Sequence, residues 1–203
     1  MRRSYAGACS LLSLVTACVS AHMSRTYVLG AARDSPADLV PAPNAARIQL
    51  DPIVIPDYLD TTDILLRHGA YELVASSTAR WGERLSTALR DALASDLSAR
   101  LPRDLITTTH DPDPSARRLR LTVSAFDVWA NGRCILNASW SIAEKGVDPR
   151  NPTEATLLLP SGAEAGSGSD SLVVGSMAAV VAMLADRIAA SIDAIDEPIT
   201  GLR

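Results

Sequence analysis

Lysine is almost missing from this chain of 203 residues: Lys145 is the one lysine, against 18 arginines. That scarcity argues against lysine-based chemistry, and the sequence carries no G-x-x-x-x-G-K-[ST] phosphate loop. Aromatic residues make up 4%, with Phe126 the single phenylalanine. Three cysteines and three histidines are present, Cys9, Cys18 and Cys134 and His22, His68 and His110. Their spacing matches no metal-ligand pattern. Gly166 and Gly168 lack the remaining spacing of a dinucleotide fingerprint. Gly175-Ser176-Met177 lacks the second glycine of a nucleophile elbow. No run of unbroken apolar residues is long enough to cross a bilayer of about 30 Å as a helix.

Apolar residues are 47% of the chain, enough to build a core. The amino terminus reads as a targeting segment over residues 1–17. Arg2 and Arg3 form a positive n-region, and Ala6 to Thr16 a short apolar stretch. It ends in Leu14-Val15-Thr16-Ala17-Cys18. A small residue before cysteine, with Val15 at −3, resembles the lipobox of bacterial lipoproteins. The resemblance implies cleavage between Ala17 and Cys18, with diacylglycerol on the Cys18 thiol and an acyl chain on its new amino group. No other cofactor is expected. One chain holds a protein only marginally, whereas three make attachment durable. Val19 stands where aspartate tends to retain lipoproteins in the inner membrane of enteric bacteria, which favours the outer membrane.

Cleavage there leaves 17 basic and 23 acidic side chains, a formal charge of −6. That disfavours nucleic acid as a partner. Cys134 is then the one unmodified cysteine, so no intramolecular disulfide is available. Its apolar neighbours make it a small core residue.

Along the mature chain, residues 18–26 read as a lipidated tether. Tyr27-Val28-Leu29 suggests a short strand ended by Gly30. Residues 48–55 suggest another, with Pro52 at an edge or bulge. Ile64–Arg67 and Tyr71–Val74 flank His68-Gly69-Ala70 as a hairpin. Trp81, Leu85, Leu89, Leu93, Leu97 and Leu101 fall four apart, predicting an amphipathic helix from Thr78 to Arg100. Ser77 or Thr78 would cap it, with Trp81 at its start as a core anchor and Glu83 as a first-turn acid. Pro102 would stop it. Leu105–His110 suggests a strand. Leu119, Leu121, Val123 and Ala125 alternate with polar residues, and Asn131-Gly132 favours a hairpin turn. The returning strand puts Cys134, Leu136, Ala138, Trp140 and Ile142 on one face. Ala155–Leu159 adds a strand. A second helix over residues 171–194 presents Val174, Met177, Val181, Leu184, Ile188, Ile192 and Ile195. Asp186, Arg187 and Asp193 argue against a membrane span. The expected fold is α+β, a single domain over residues 27–196: a largely antiparallel or mixed sheet with two long amphipathic helices packed on one face. Residues 197–203 would fray.

Candidate chemistry is thin. Asp57, Asp60 and Asp63 cluster after the second strand. An acid pair suits acid–base work, but Asp also favours turns and caps. A tethered hydrolase would need a nucleophile beside a base, and neither is assigned; turnover lost specifically on replacing Ser176 or Asp57 would revive that possibility.

One passage goes further. Ile53-Val54-Ile55-Pro56-Asp57-Tyr58-Leu59-Asp60 is followed by Ile64-Leu65-Leu66-Arg67, then Tyr71-Glu72-Leu73 and Arg80-Trp81-Gly82-Glu83-Arg84-Leu85. This series resembles the ABC-type transport auxiliary lipoprotein family, of the paraquat-inducible protein C type. Gly82 stands where alanine is common. The resemblance implies a non-enzymatic lipoprotein on the periplasmic face of the outer membrane. Its implied partner is a mammalian-cell-entry (MCE) domain protein that spans the periplasm as a lipid conduit. The implied task is to dock or receive that conduit, supporting intermembrane phospholipid transport and envelope integrity. A homo-oligomeric ring is compatible with the group. The alternative is a structural lipoprotein of another envelope assembly, for lipopolysaccharide or pili. The candidate motif and partner surface comprises Pro56, Tyr58, Leu59, Asp60, Arg67, Trp81 and Glu83. We expect the Pro56–Asp60 turn and the Trp81 helix start to form one packed corner, with Arg67 reaching Asp60 or Glu83.

Overall fold

The computed structural model describes residues 24–30, 45–111, 113, 115–144, 152–160 and 170–196. Ala17, Cys18, the leader, most of the tether and residues 197–203 lie outside the described residues.

Among the described residues, eight strands and two helices form one α+β arrangement with two mixed sheets and no closed barrel. The smaller sheet has the order β1-β4-β3, built from β1 (Arg25–Tyr27), β3 (Asp63–Arg67) and β4 (Leu73–Trp81). The larger has the order β5-β2-β6-β7-β8. Its strands are β2 (Arg47–Leu50), β5 (Leu105–Thr107), β6 (Arg117–Val128), β7 (Cys134–Ala143) and β8 (Thr153–Leu159). β6, β7 and β8 run antiparallel, whereas β2 pairs in parallel with both β5 and β6.

The β6–β7 ladder follows the expected alternation as far as Val123. Leu119, Leu121 and Val123 point into the core. The register then slips by one residue between Val123 and Ala125. This bulge inserts Ser124 and hands the core face to Phe126 and Val128, which are buried, so Ala125 leaves the inward set. On β7, Cys134, Leu136, Ala138 and Trp140 are buried, while Asn137, Ser139 and Ser141 are half-buried on the other face.

β2 stops at Leu50, earlier than the apolar run suggested. Pro52 has no N–H to donate. Pairing resumes for one residue at Val54, which bridges Thr122. β1 likewise sits two residues before the expected strand.

Helix α1 spans Leu85–Arg100, and α2 spans Asp170–Asp196. The leucine spacing of α1 is as expected, with Leu85, Leu89, Leu93 and Leu97 buried. Its start is not. Residues 78–81 belong to strand β4, so neither Ser77 nor Thr78 caps a helix, and Glu83 precedes the first turn, which has no acid. The four-residue spacing happens to include Trp81, a buried strand residue. α2 is long and apolar enough to cross a membrane by length and composition. Here its stripe of Met177, Val181, Leu184, Ile188 and Ile192 is buried in the same core as α1 and the sheet residues.

Candidate functional site

The corner expected from the motif is present. Pro56 opens a tight turn: its carbonyl accepts the Leu59 N–H at 2.9 Å, and the Asp57 carbonyl accepts the Asp60 N–H at 3.2 Å. The turn buries Leu59 and leaves Tyr58 47% exposed. Two residues on, backbone groups stitch the turn to the end of β4. The Thr62 carbonyl accepts the Trp81 N–H at 2.7 Å, and the Thr61 carbonyl accepts the Leu85 N–H at 3.2 Å. Trp81 is a core anchor, 2% exposed, from a strand end.

Asp60 caps α1 from elsewhere in the chain. Its Oδ1 accepts the Ser86 N–H at 3.2 Å. The residue preceding α1 is Arg84, whose side chain makes no cap bond. Instead the Arg84 guanidinium donates to the Asp60 carbonyl at 2.8 Å and lies 3.5 Å from its Oδ2. Partial burial pushes the Asp60 carboxyl upward, but the Ser86 hydrogen bonds and the Arg84 charge outweigh it and hold it below the usual range.

Arg67 goes elsewhere. It reaches neither Asp60 nor Glu83 but pairs with Asp127 on β6, with Nη2 at 2.6 Å and Nε at 2.8 Å from Oδ1. Its third bond goes to the Ala70 carbonyl at 3.2 Å. Arg67 therefore joins the two sheets rather than the corner. Glu83 is half-buried and makes no ion pair with a described residue.

The acids after the second strand take turn and cap roles: Asp57 is exposed in the turn, and Asp63 begins β3 with its N–H on Thr61 Oγ1 at 3.2 Å. Ser176 is buried on α2, and Asp57 sits in the corner turn. His68 and His110 are exposed. Among the described residues, no group of three or more His, Cys, Asp or Glu could hold a metal ion. Cys134 is fully buried, and burial, with a smaller contribution from Asp127, pushes its thiol up to about 12. That is an inert core thiol.

Two structural residues had no signal in the sequence. Arg90 of α1 turns inward to donate to the Leu50 carbonyl at 3.0 Å and to the Thr108 carbonyl, tying the helix to the ends of β2 and β5. Asp170 accepts from Ser76 at 2.9 Å and Thr78 at 2.8 Å. Both act across long sequence separations, which no local pattern registers.

What the corner offers is a rigid base beneath an exposed apolar pair. Val54, 61% exposed, and Tyr58 flank Ile55 and Pro56, while Ile53 and Leu59 hold the segment into the core.

Comparison with known proteins agrees with this architecture. The profile of the ABC-type transport auxiliary lipoprotein component family matches residues 27–189. A crystal structure of an uncharacterized protein superposes with a TM-score of 0.67 at 20% identity, covering 84% of this chain and 99% of its own. A Xanthomonas campestris protein of the DUF330 family superposes with a TM-score of 0.60 at 13% identity, covering 82% of this chain and 93% of its own. At such identities the likeness speaks for the fold alone. No curated protein matches the sequence.

Proposed function

The chain belongs to the ABC-type transport auxiliary lipoprotein family, and from that premise we propose that it is a non-enzymatic outer-membrane component of an MCE-type lipid transporter. Cys18 carries the acyl chains, and the folded domain stands on the periplasmic face. Its task is to dock or receive the periplasm-spanning conduit as phospholipid moves between membranes.

The observation that carries this reading is the Val54–Tyr58 corner. Exposed tyrosine on a rigid base suits a protein interface, because the ring offers contact area at little conformational cost. The corner does not depend on Tyr58 for its own packing; Leu59 and Trp81 supply that.

The test is capture of the MCE partner from cell envelopes by the intact lipoprotein and by Tyr58→Ala. The expected result is an unchanged melting temperature with capture reduced at least tenfold, the effect of losing about 1.4 kcal/mol. Undiminished capture removes the corner from the interface. Recovery of a lipopolysaccharide or pilus component in place of the MCE protein replaces the reading with that assembly.

A further inference from the structure

β8 ends the larger sheet, and its far side makes no backbone hydrogen bond with a described residue. Proteins blunt such edges with short strands, bulges, proline or inward charge, because an open edge invites another strand. The remaining edges follow that rule. β1 and β5 have three residues each. β3 has five, with charged ends and an irregular register between Asp63 and Leu65. β8 has seven residues in unbroken register with β7, no proline and no basic residue. Glu154, Thr156 and Leu158 on its outward face are exposed, Leu158 at 50%.

The inward face of β8 is uneven along its length. At its start, Thr153 stands beside Trp140 and Ala155 beside Ala138. At its end, Leu157 and Leu159 stand beside Leu136 and Cys134. Where the inward side chains are small, a cleft of about 330 Å³ opens between β8 and the second half of α2. Trp140, Thr153, Ala155, Ala190 and Ala194 line it. The strand therefore reads from small to large on the face that meets the core, with a void beside the small half.

We propose that β8 pairs with the β8 of a second copy, antiparallel about a two-fold axis at Thr156, joining two five-stranded sheets edge to edge. An axis at Thr156 is the placement that pairs all seven residues. On the inward face it sets Thr153 against the partner's Leu159 and Ala155 against the partner's Leu157. Those leucines overhang the cleft, and each copy closes the other's. On the outward face Thr156 meets the partner's Thr156, a favourable cross-strand pair. Glu154 meets the partner's Leu158, so the two Glu154 carboxylates lie four residues out of step. That is about 13 Å along the strands, beyond the Debye length of about 8 Å at physiological salt. Any strand could supply the backbone bonds; the match of small to large along the whole edge selects a second copy. The pairing holds whatever the transporter carries.

The test uses the full chain, in cell envelopes and after purification in detergent. Cys134 is buried, so an introduced surface thiol is read against the unaltered chain as control. Thr156→Cys should be coupled to itself by a bifunctional thiol reagent of about 5 Å reach, the separation of opposed Cβ atoms in an antiparallel pair. Glu154→Cys and Leu158→Cys should each fail to couple alone and should couple when expressed together. Thr156→Lys sets two like charges face to face at an exposed position. It should keep its melting temperature and sediment as a monomer where the unaltered chain sediments as a dimer. An unaltered chain that sediments as a monomer overturns the proposal. So does a larger ring in which Thr156→Cys is not coupled. Coupling of Thr156→Cys to a protein of another mass gives the edge to that protein and overturns the self-pairing. Coupling of Glu154→Cys to itself overturns the register.

Discussion

The Arg84 side chain cannot accept a hydrogen bond, so the N–H groups of Leu85 and Ser86 depend on the Asp60–Thr61 turn more than twenty positions earlier. An N-terminal capping oxygen contributes about 1 kcal/mol. Asp60→Ala should therefore destabilise the domain by about 1 kcal/mol and leave Arg84 without its partner. Asp60→Asn keeps an oxygen in place and should recover most of that loss. Urea titrations of the three proteins check this, and equal stability of Asp60→Ala and the unaltered chain would remove the cap. Cys134 gives a second expectation at this scale. Fully buried, and with its thiol held near 12, it should be inert to a soluble disulfide reagent at pH 8 in the folded protein. It should react within minutes once denatured. Rapid labelling of the native chain would mean that β7 opens at its first residue. The same residue was legible as core in the sequence, because its neighbours at period two are apolar. The partner of Arg67 was not legible. Asp127 lies sixty positions away, and only the bulge at Ser124 turns it towards Arg67's side of the sheet.

At the scale of elements, legibility follows the range of the forces involved. The alternation in β6 and β7 is local and periodic, so it could be read directly. The leucine ladder of α1 could be read too, but its start could not. Trp81 sits at helical spacing from Leu85 by coincidence, and Ala79 to Trp81 becomes strand because β1 pairs along it and β3 pairs at Arg80. Those pairings are non-local, and tertiary pairing outranks propensity. The division into two sheets was hidden for the same reason. So was the parallel placement of β2 between β5 and β6. The candidate corner was visible as a motif, yet its hydrogen bonds were not, since four of its members meet through backbone atoms. α2 carries the largest share of the remaining core. Leu184 is fully buried, and truncation to alanine leaves a cavity costing about 3 kcal/mol. Ala190, exposed on the same helix, should tolerate serine within about 0.5 kcal/mol. Chemical denaturation distinguishes the two. A small effect of Leu184→Ala would mean that α2 is loosely held, and its apolar length would then deserve reading as membrane-seeking.

For the whole molecule, ion pairs fasten the long helix and the loops to the sheets. Arg100 joins α1 to α2 through Asp186, and Arg117 at the start of β6 holds Asp196 at the end of α2. Arg47 holds Asp111 at 2.7 Å. The carboxylates respond to pH in opposite senses. Asp111 is held low first by the hydrogen bond from Arg47, Asp113 by that from Ser115, and Asp60 by the Ser86 and Arg84 contacts that outweigh its burial. A group whose carboxyl is lower in the folded state than in the unfolded one stabilises the fold above its unfolded value, about 3.9 for aspartate. That stabilisation disappears as pH falls through the folded value. Asp104 behaves inversely. Burial raises it, and Asp196 and Asp193 add to the rise despite Arg117. Its charge opposes folding above its folded value, and the opposition fades as protons bind. The melting temperature should therefore hold or rise slightly from pH 7 towards about pH 4, then fall below it. Asp104→Asn should melt higher than the unaltered chain at pH 7, by an amount within about 1 kcal/mol. That advantage should vanish below about pH 4, where Asp104 is itself protonated. Scanning calorimetry across this range reads both effects. A melting temperature that climbs steadily below pH 4 would mean that the paired carboxylates of the turn and the corner contribute nothing. An advantage of Asp104→Asn that survives in acid would assign it to packing, and leave the charge of α2's last turn without influence on the fold.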